Sequence, residues 1–437
     1  MSVSAQINVK RLLFLVLLLI FLLPAGQAKF KLIQFEELGG YSGEAAPHPE
    51  LNWAALANNS YQTGLEHYLE ARLGFRELLI RARNQLAYTV FEVAHANQVL
   101  VGRDQVLYEE RPIRAYLGED FVGDATVARH VRRFRAVQDT LARRGKLLVF
   151  VAAASKASFM PEFLPAYHQN QPLRRSNYQA YAAAMRAAGV NFLDVSHAFR
   201  QWKDTASYPL FPRGGIHWSC YAAKLVGDTL LHYLARQYHH PFRDFRLIPG
   251  DVTREPRDTD NDIAKAMNLL TPPPAYSMAY PNVEFQALKP GQQRPNLLLI
   301  GDSFCWTIMY PFINEAFDNT TSRFWYYNND VSWPENPPEG RAVSALNHKQ
   351  QYLSRDIIVV MFTEYNMNQL DGGFSDDAFN LFTPYTRTDS LRIKEFENAL
   401  RKTPGLAEKW WKRCADSGQS LDQLIRGQAV AQYDSIR

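Results

Sequence analysis

Serine becomes a nucleophile only when a base removes its proton, and two segments of this chain supply such a pair. Ser303 stands in Gly301-Asp302-Ser303-Phe304, directly after the apolar run Asn296-Leu297-Leu298-Leu299-Ile300. A short buried strand that ends in Gly-Asp-Ser reads as a strand-to-helix turn presenting a serine, at the strand ends where reactive groups of open α/β sheets gather. A helix opening at Ser303 would aim backbone N–H groups at a developing oxyanion, with Gly301 a further candidate in that turn. The competing reading is an ordinary turn in which Asp302 or Ser303 caps the helix. The candidate base is His217 in Gly214-Gly215-Ile216-His217-Trp218-Ser219. It lies on a loop before a helical stretch, and Trp218 is placed to pack against its ring and limit water. A third segment, Met361-Phe362-Thr363-Glu364-Tyr365-Asn366, leaves the end of another apolar run. There Asn366 is a candidate oxyanion donor and Glu364 a candidate partner for a histidine; the alternative for both is local capping and surface polarity.

These residues need a sheet to position them, and the pattern provides one. Residues 126–144, 174–188 and 221–237 read as helices. Residues 147–152, 190–195, 296–300 and 356–362 read as strands, several apolar on both faces. Continuous apolar runs alternating with helices predict an α/β fold with a parallel sheet covered by helices. Before it, residues 61–96 repeat leucines at helical spacing with arginines interleaved, and residues 98–102 and 106–108 read as a hairpin. Residues 241–295, rich in Pro, Arg and Asp, interrupt the alternation as an insertion. The expected organisation is an export segment over 1–28, an N-terminal helical and irregular extension over 29–125, a catalytic domain over 126–387 carrying the insertion, and a helical tail over 388–437 marked by Trp410-Trp411.

The N-terminus has Lys10 and Arg11, then Leu12 to Leu23 without a polar residue, then Pro24-Ala25-Gly26-Gln27-Ala28. This is an export signal, cleaved near Ala28 or kept as an anchor, and it places the remainder in the periplasm, free or held to the inner membrane. With 46% hydrophobic and 21% charged residues and a net charge of +4, the chain can bury a normal core, and no basic stripe points to nucleic acid. Three cysteines, Cys220, Cys305 and Cys414, are too few for a disulfide scaffold. Cys220 and Cys305 would be neighbours if their motifs meet; otherwise they are small buried side chains. No phosphate-binding loop, coenzyme site or metal constellation stands out, and His239-His240 has no spaced partners.

In their order these pieces resemble the SGNH-like acetyltransferases of exopolysaccharide export, the alginate O-acetyltransferase type. The resemblance covers most of the chain. It includes the export segment, Leu73-Gly74-Phe75-Arg76, Val101-Gly102-Arg103-Asp104-Gln105-Val106-Leu107-Tyr108, the His-Trp-Ser segment, Gly-Asp-Ser-Phe and Thr-Glu-Tyr-Asn. His217 precedes Ser303, as in that family and unlike simple SGNH esterases. The resemblance implies an SGNH-like fold, acetyl transfer to a polysaccharide through Ser303 and His217, and a membrane-bound O-acyltransferase as acetyl donor. One position departs from it: the family has an aspartate two residues before the histidine, and here that residue is Gly215. Either another acid serves, with Asp260, Asp262, Glu364 and Asp194 as candidates, or a Ser–His dyad acts alone, or catalysis is lost. One of Asp260 and Asp262 would otherwise simply cap the short helix near 264–270. The competing functions are an exported carbohydrate esterase or deacetylase, and a catalytically silent glycan-binding assembly protein.

Overall fold

The apolar N-terminal run forms helix α1 (Val3–Phe30) in the computed structural model, which describes residues 3–39, 46–406, 408, 410, 413, 414 and 419–437. Its stretch Lys10–Phe30 is long and apolar enough to cross a membrane, and its side chains stand almost wholly exposed. The arginine-rich helical region is two helices, α2 (Ser60–Ala71) and α3 (Arg76–Phe91), rather than one. The break has a local cause. Phe75 has a positive φ of 62°, which ends a right-handed helix, and Gly74 lies so close to α1 that a Cβ would run into the Pro24 carbonyl oxygen. The motif at residues 73–76 is therefore the seat on which the end of α1 rests.

After the expected hairpin, β1 (Val99–Val101) with β2 (Leu107–Glu109), the alternation begins. It runs α4 (Asp124–Ala142), β3 (Leu147–Ala153), α5 (Asn177–Ala187), β4 (Phe192–Asp194) and α6 (Cys220–Tyr238). The strand expected over 190–195 keeps only three residues. Asp194 accepts the His197 N–H at 2.8 Å and starts a helix at Val195 instead. Residues 241–295 form an antiparallel pair, β5 (Phe245–Thr253) and β6 (Met278–Phe285), with a 3-10 turn, Asp258–Asn261, and helix α7 (Asp262–Ala266) between them. Then come β7 (Leu297–Gly301), β8 (Arg323–Tyr326), β9 (Asp330–Trp333) and β10 (Ile357–Thr363).

The sheet order is β4-β3-β10-β7-β8-β9, parallel throughout except for β9. Strands β3, β7 and β10 are buried along their whole length, because each face is covered by helices. Leu147, Val149, Leu297, Leu299, Ile357 and Val359 pack on one face with Val226, Leu230 and Leu234 of α6. Leu148, Phe150, Leu298, Ile300, Ile358 and Val360 pack on the other with Val131, Phe134 and Val137 of α4. This alternation fixes the register, and with it the level at which the strands end. Of the tail, helices α8 (Arg387–Arg401) and α9 (Leu421–Ile436) pack on each other through Ile393, Ala429 and Tyr433. Trp410 is buried; Trp411 lies outside the described residues.

Candidate active site

Strand β7 ends at Gly301, and the chain turns at once into a 3-10 turn, Ser303–Cys305. Asp302 makes the turn. Its side chain is fully buried; Oδ1 accepts the Phe304 N–H at 3.1 Å. Its Oδ2 accepts the Thr363 N–H at 2.8 Å, the Thr363 hydroxyl, and the Asn366 amide at 2.7 Å. The serine turn is thus tied to the end of β10. The segment expected as a helix over 304–317 is a short α-turn, Trp306–Ile308, then a π-turn, Met309–Ile313, then Asn314–Ala316; the π-turn contains Pro311, which cannot donate to an α-helical ladder.

His217 reaches the serine from the loop before α6. Ser219 caps that helix, its hydroxyl accepting the Ala222 N–H at 3.1 Å and donating to the Pro209 carbonyl at 2.7 Å. The buried Trp218 indole donates to Thr307 Oγ1 at 2.7 Å, which locks the loop to the serine turn. The ring against the imidazole is that of Phe304, at 4.6 Å between centroids; Trp218 packs edge-on to Phe304 at 5.0 Å. Sequence order pointed to Trp218, whose ring is taken up instead by Phe304 and Thr307.

His217 Nε2 lies 2.9 Å from Ser303 Oγ, and Nδ1 lies 2.6 Å from Asp262 Oδ2. Asp262 Oδ1 accepts the N–H groups of Ile216, at 2.9 Å, and Ile263, at 2.7 Å. The carboxylate is therefore held through both oxygens, one on the imidazole and one on the backbone of the residue next to it. It comes from the insertion, at the start of α7. The other three acid candidates are committed elsewhere. Asp260 accepts the Cys220 N–H at 3.2 Å, at the start of α6; burial pushes its carboxyl up to about 6. Asp194 accepts from the Tyr178 hydroxyl at 3.0 Å and pairs with Arg186. Glu364 accepts from the Ser196 hydroxyl, and burial pushes it up to about 7.

The glycine at position 215 has a steric cause. A Cβ there would run into the Thr259 carbonyl oxygen and come within 3.0 Å of the Asp260 carbonyl carbon and Pro212 Cγ. The 3-10 turn that delivers Asp262 occupies the space a side chain at 215 would need.

The oxyanion candidates are also rearranged. Asn366 spends its amide on Asp302. Gly301 is paired to Met361 on one side and Tyr326 on the other, and a Cβ on it would strike the Met361 carbonyl oxygen and Cys305 Sγ; its glycine serves strand packing. Within the serine turn, the Phe304 N–H is held by Asp302 Oδ1, and the Cys305 N–H by the Asp302 carbonyl at 3.1 Å. The Ser303 N–H is the first of the turn. The two cysteines are not neighbours: Cys305 Sγ faces the Met361 carbonyl and Cys220 Sγ faces Asp258.

The three residues open into a cleft of about 970 Å³. Glu109, Arg111, Tyr327 and Tyr365 line it with the serine, as do Leu73 and Arg76. Glu109 was not foreseen. Burial, then the nearby Asp262 carboxylate, raises its carboxyl above the ordinary value, while His217 and Arg111 oppose the shift. Glu109 is the last residue of β2, and only the polar Glu109-Glu110-Arg111 run at the end of that strand marked it in sequence.

A serine at the end of a parallel strand, a histidine from a loop and a carboxylate on its second nitrogen, on this sheet, give an SGNH-like α/β protein the geometry of a Ser-His-Asp triad. Residues 99–324, just over half of the chain, match the model of the SGNH hydrolase-like domain of the acetyltransferase AlgX, and the chain belongs to that family. It is 28% identical over 176 residues to the probable alginate O-acetylase AlgJ of Pseudomonas aeruginosa, a match covering 40% of this chain and 42% of that protein. The chain thus spans less than half the length of that curated relative. Two solved structures are also similar. The O-acetyltransferase domain of Pseudomonas putida AlgJ is 18% identical, with 65% of this chain and 99% of that one covered at a TM-score of 0.43. Pseudomonas aeruginosa AlgX is 17% identical, with 65% and 66% covered at a TM-score of 0.44.

Proposed function

We propose that this protein is an exported O-acetyltransferase that carries an acetyl group on Ser303 and delivers it to hydroxyls of an exopolysaccharide of the alginate kind. The observation that carries this reading is the unbroken chain of hydrogen bonds from Ser303 Oγ through His217 to Asp262 in the wall of one cleft. Ser303 Oγ attacks the donor's carbonyl carbon while His217 Nε2 takes its proton. Asp262 holds the tautomer with the proton on Nδ1 and stabilises the imidazolium that forms. The Ser303 N–H, at the head of its turn, faces the developing oxyanion. Collapse expels the donor's leaving group, which takes the proton from His217. A sugar hydroxyl then enters, gives its proton to His217 Nε2, and attacks the ester carbon. Ser303 leaves as the hydroxyl, reprotonated by the same imidazolium. Asp262 supports this catalytic reading over a silent glycan-binding one, whose ground was the missing acid at position 215.

In this reading α1 delivers the rest of the chain to the periplasm and tethers it to the inner membrane, and a membrane-bound O-acyltransferase supplies the acetyl group. The test gives the purified protein a soluble acetyl ester, with and without de-acetylated polysaccharide. The reading expects the acetyl group to appear on the polymer by mass spectrometry, dependent on Ser303. Release of free acetate alone, at a rate indifferent to the polymer, would instead make the protein an esterase.

A further inference from the structure

Lys156 begins a short helix, Lys156–Phe159, just past the end of β3, and its side chain is buried. Its Nζ donates to three backbone carbonyls: Leu107 at 2.8 Å, Arg213 at 2.9 Å and Gly215 at 2.9 Å. Leu107 is in β2; Arg213 and Gly215 belong to the loop that ends in His217. The Leu107 N–H also donates to the Arg213 carbonyl, at 2.9 Å. An ammonium has three donors, and here each has one acceptor. Apolar side chains fill a core at far lower cost than a buried cation, so an ammonium at this place does something packing does not.

We infer that Lys156 is a positioning residue for acyl transfer: its protonated form clamps the His217 loop to β2 and sets its charge beside the Asp262 carboxylate. This rests on the catalytic reading above. The groups facing the ammonium are the Tyr108 ring from β2, at 5.4 Å to its centroid, the Arg213 guanidinium from the loop and the Asp262 carboxylate from α7. Burial pushes Lys156 down to about 7; Asp262 opposes that shift and Arg213 adds to it. A neutral amine keeps two donors and turns a lone pair toward the third carbonyl. Loss of the proton therefore releases one of the three contacts on the loop and removes the positive charge next to Asp262.

The test is Lys156→Met, which keeps an unbranched side chain one heavy atom shorter and removes both donors and charge, assayed with a soluble acetyl ester across the pH range. The parent's kcat/KM should fall on the alkaline side as Lys156 loses its proton. In Lys156→Met the alkaline fall should be absent. KM should stay within about twofold while kcat drops about a hundredfold, the scale of a misplacement near 1 Å. An unchanged alkaline limb with kcat within about fivefold of the parent overturns the inference. Failure of the catalytic reading is separate and shows as turnover surviving in Ser303→Ala. Should Lys156→Met not fold, the parent carries the test through labelling of Ser303 by a fluorophosphonate. The labelling rate should fall above about pH 7 while Tm rises, since a lysine whose folded pKa is depressed adds stability as pH climbs from its folded toward its unfolded value. A labelling rate that stays level or rises from there to pH 9 overturns it.

Discussion

Asp262→Asn isolates what the carboxylate does for His217. The substitution keeps the shape, and its one oxygen can still accept the N–H groups of Ile216 and Ile263, which now hold Oδ1. The group 2.6 Å from His217 Nδ1 then becomes an NH2 donor. The ring must turn Nδ1 into an acceptor, which places its proton on Nε2, pointing at Ser303 Oγ. A protonated Nε2 cannot take the serine's proton. In serine triads this change costs about four orders of magnitude in kcat, or about 5.5 kcal/mol of transition-state stabilisation at about 1.36 kcal/mol per decade. The assay is turnover of an activated acetyl ester by purified protein, with circular dichroism showing that the fold persists. Moving the acid back should not help. A Cβ at 215 meets the Thr259 carbonyl, so Gly215→Asp should displace the 258–261 turn and lower activity even with Asp262 present. Asp262→Asn running within about tenfold of the parent would refute the assignment of Asp262 to the triad, as would full rescue of it by Gly215→Asp.

Ser303→Ala and His217→Ala should each remove nearly all turnover, by a similar factor and not additively, because the two act as a unit; the double variant's rate checks this. Glu364, raised by burial to about 7, contributes stability that is fully present below its unfolded pKa and lost as pH rises through the folded value. Thermal scans of Glu364→Gln should therefore show a Tm advantage over the parent that widens from about pH 4 to 7 and then holds; a constant gap contradicts it. Asp302→Asn loses acceptors for Thr363 and Asn366 and should cost about 3 kcal/mol. That is readable as a lower denaturation midpoint, with kcat falling as the serine turn loosens.

Much of this architecture could be read from residues alone, and the misses have physical causes. β3, β7 and β10 were legible because strands buried on both faces must be apolar at every position. β8 and β9 escaped because they are short and mixed: Arg323 pairs with Glu339 beside the aromatic run Phe324-Trp325-Tyr326. The long leucine-arginine helix broke at Gly74, since its periodicity carried no sign that α1 would pack there. The serine and histidine segments could be named from local pattern, as each sits next to its own strand or helix. The acid could not. Asp262 is 45 residues from His217 on an insertion, and Asp260 two positions earlier is equally plausible in a string of letters. Only the 3-10 turn, which directs Asp260 to the Cys220 N–H and Asp262 to the imidazole, tells them apart. Lys156 gave no signal at all, because its three acceptors are backbone carbonyls from two distant segments.

The central claim is that Ser303 carries the acetyl group. The parent protein, mixed with an activated acetyl ester, quenched in acid within the first turnover and digested, should yield an acetylated peptide in which fragmentation places the acetyl on Ser303. The adduct should disappear on adding polysaccharide acceptor before the quench, and should be missing from Ser303→Ala. An acetyl group found on another residue, or turnover with no adduct in Ser303 at any quench time, would contradict it.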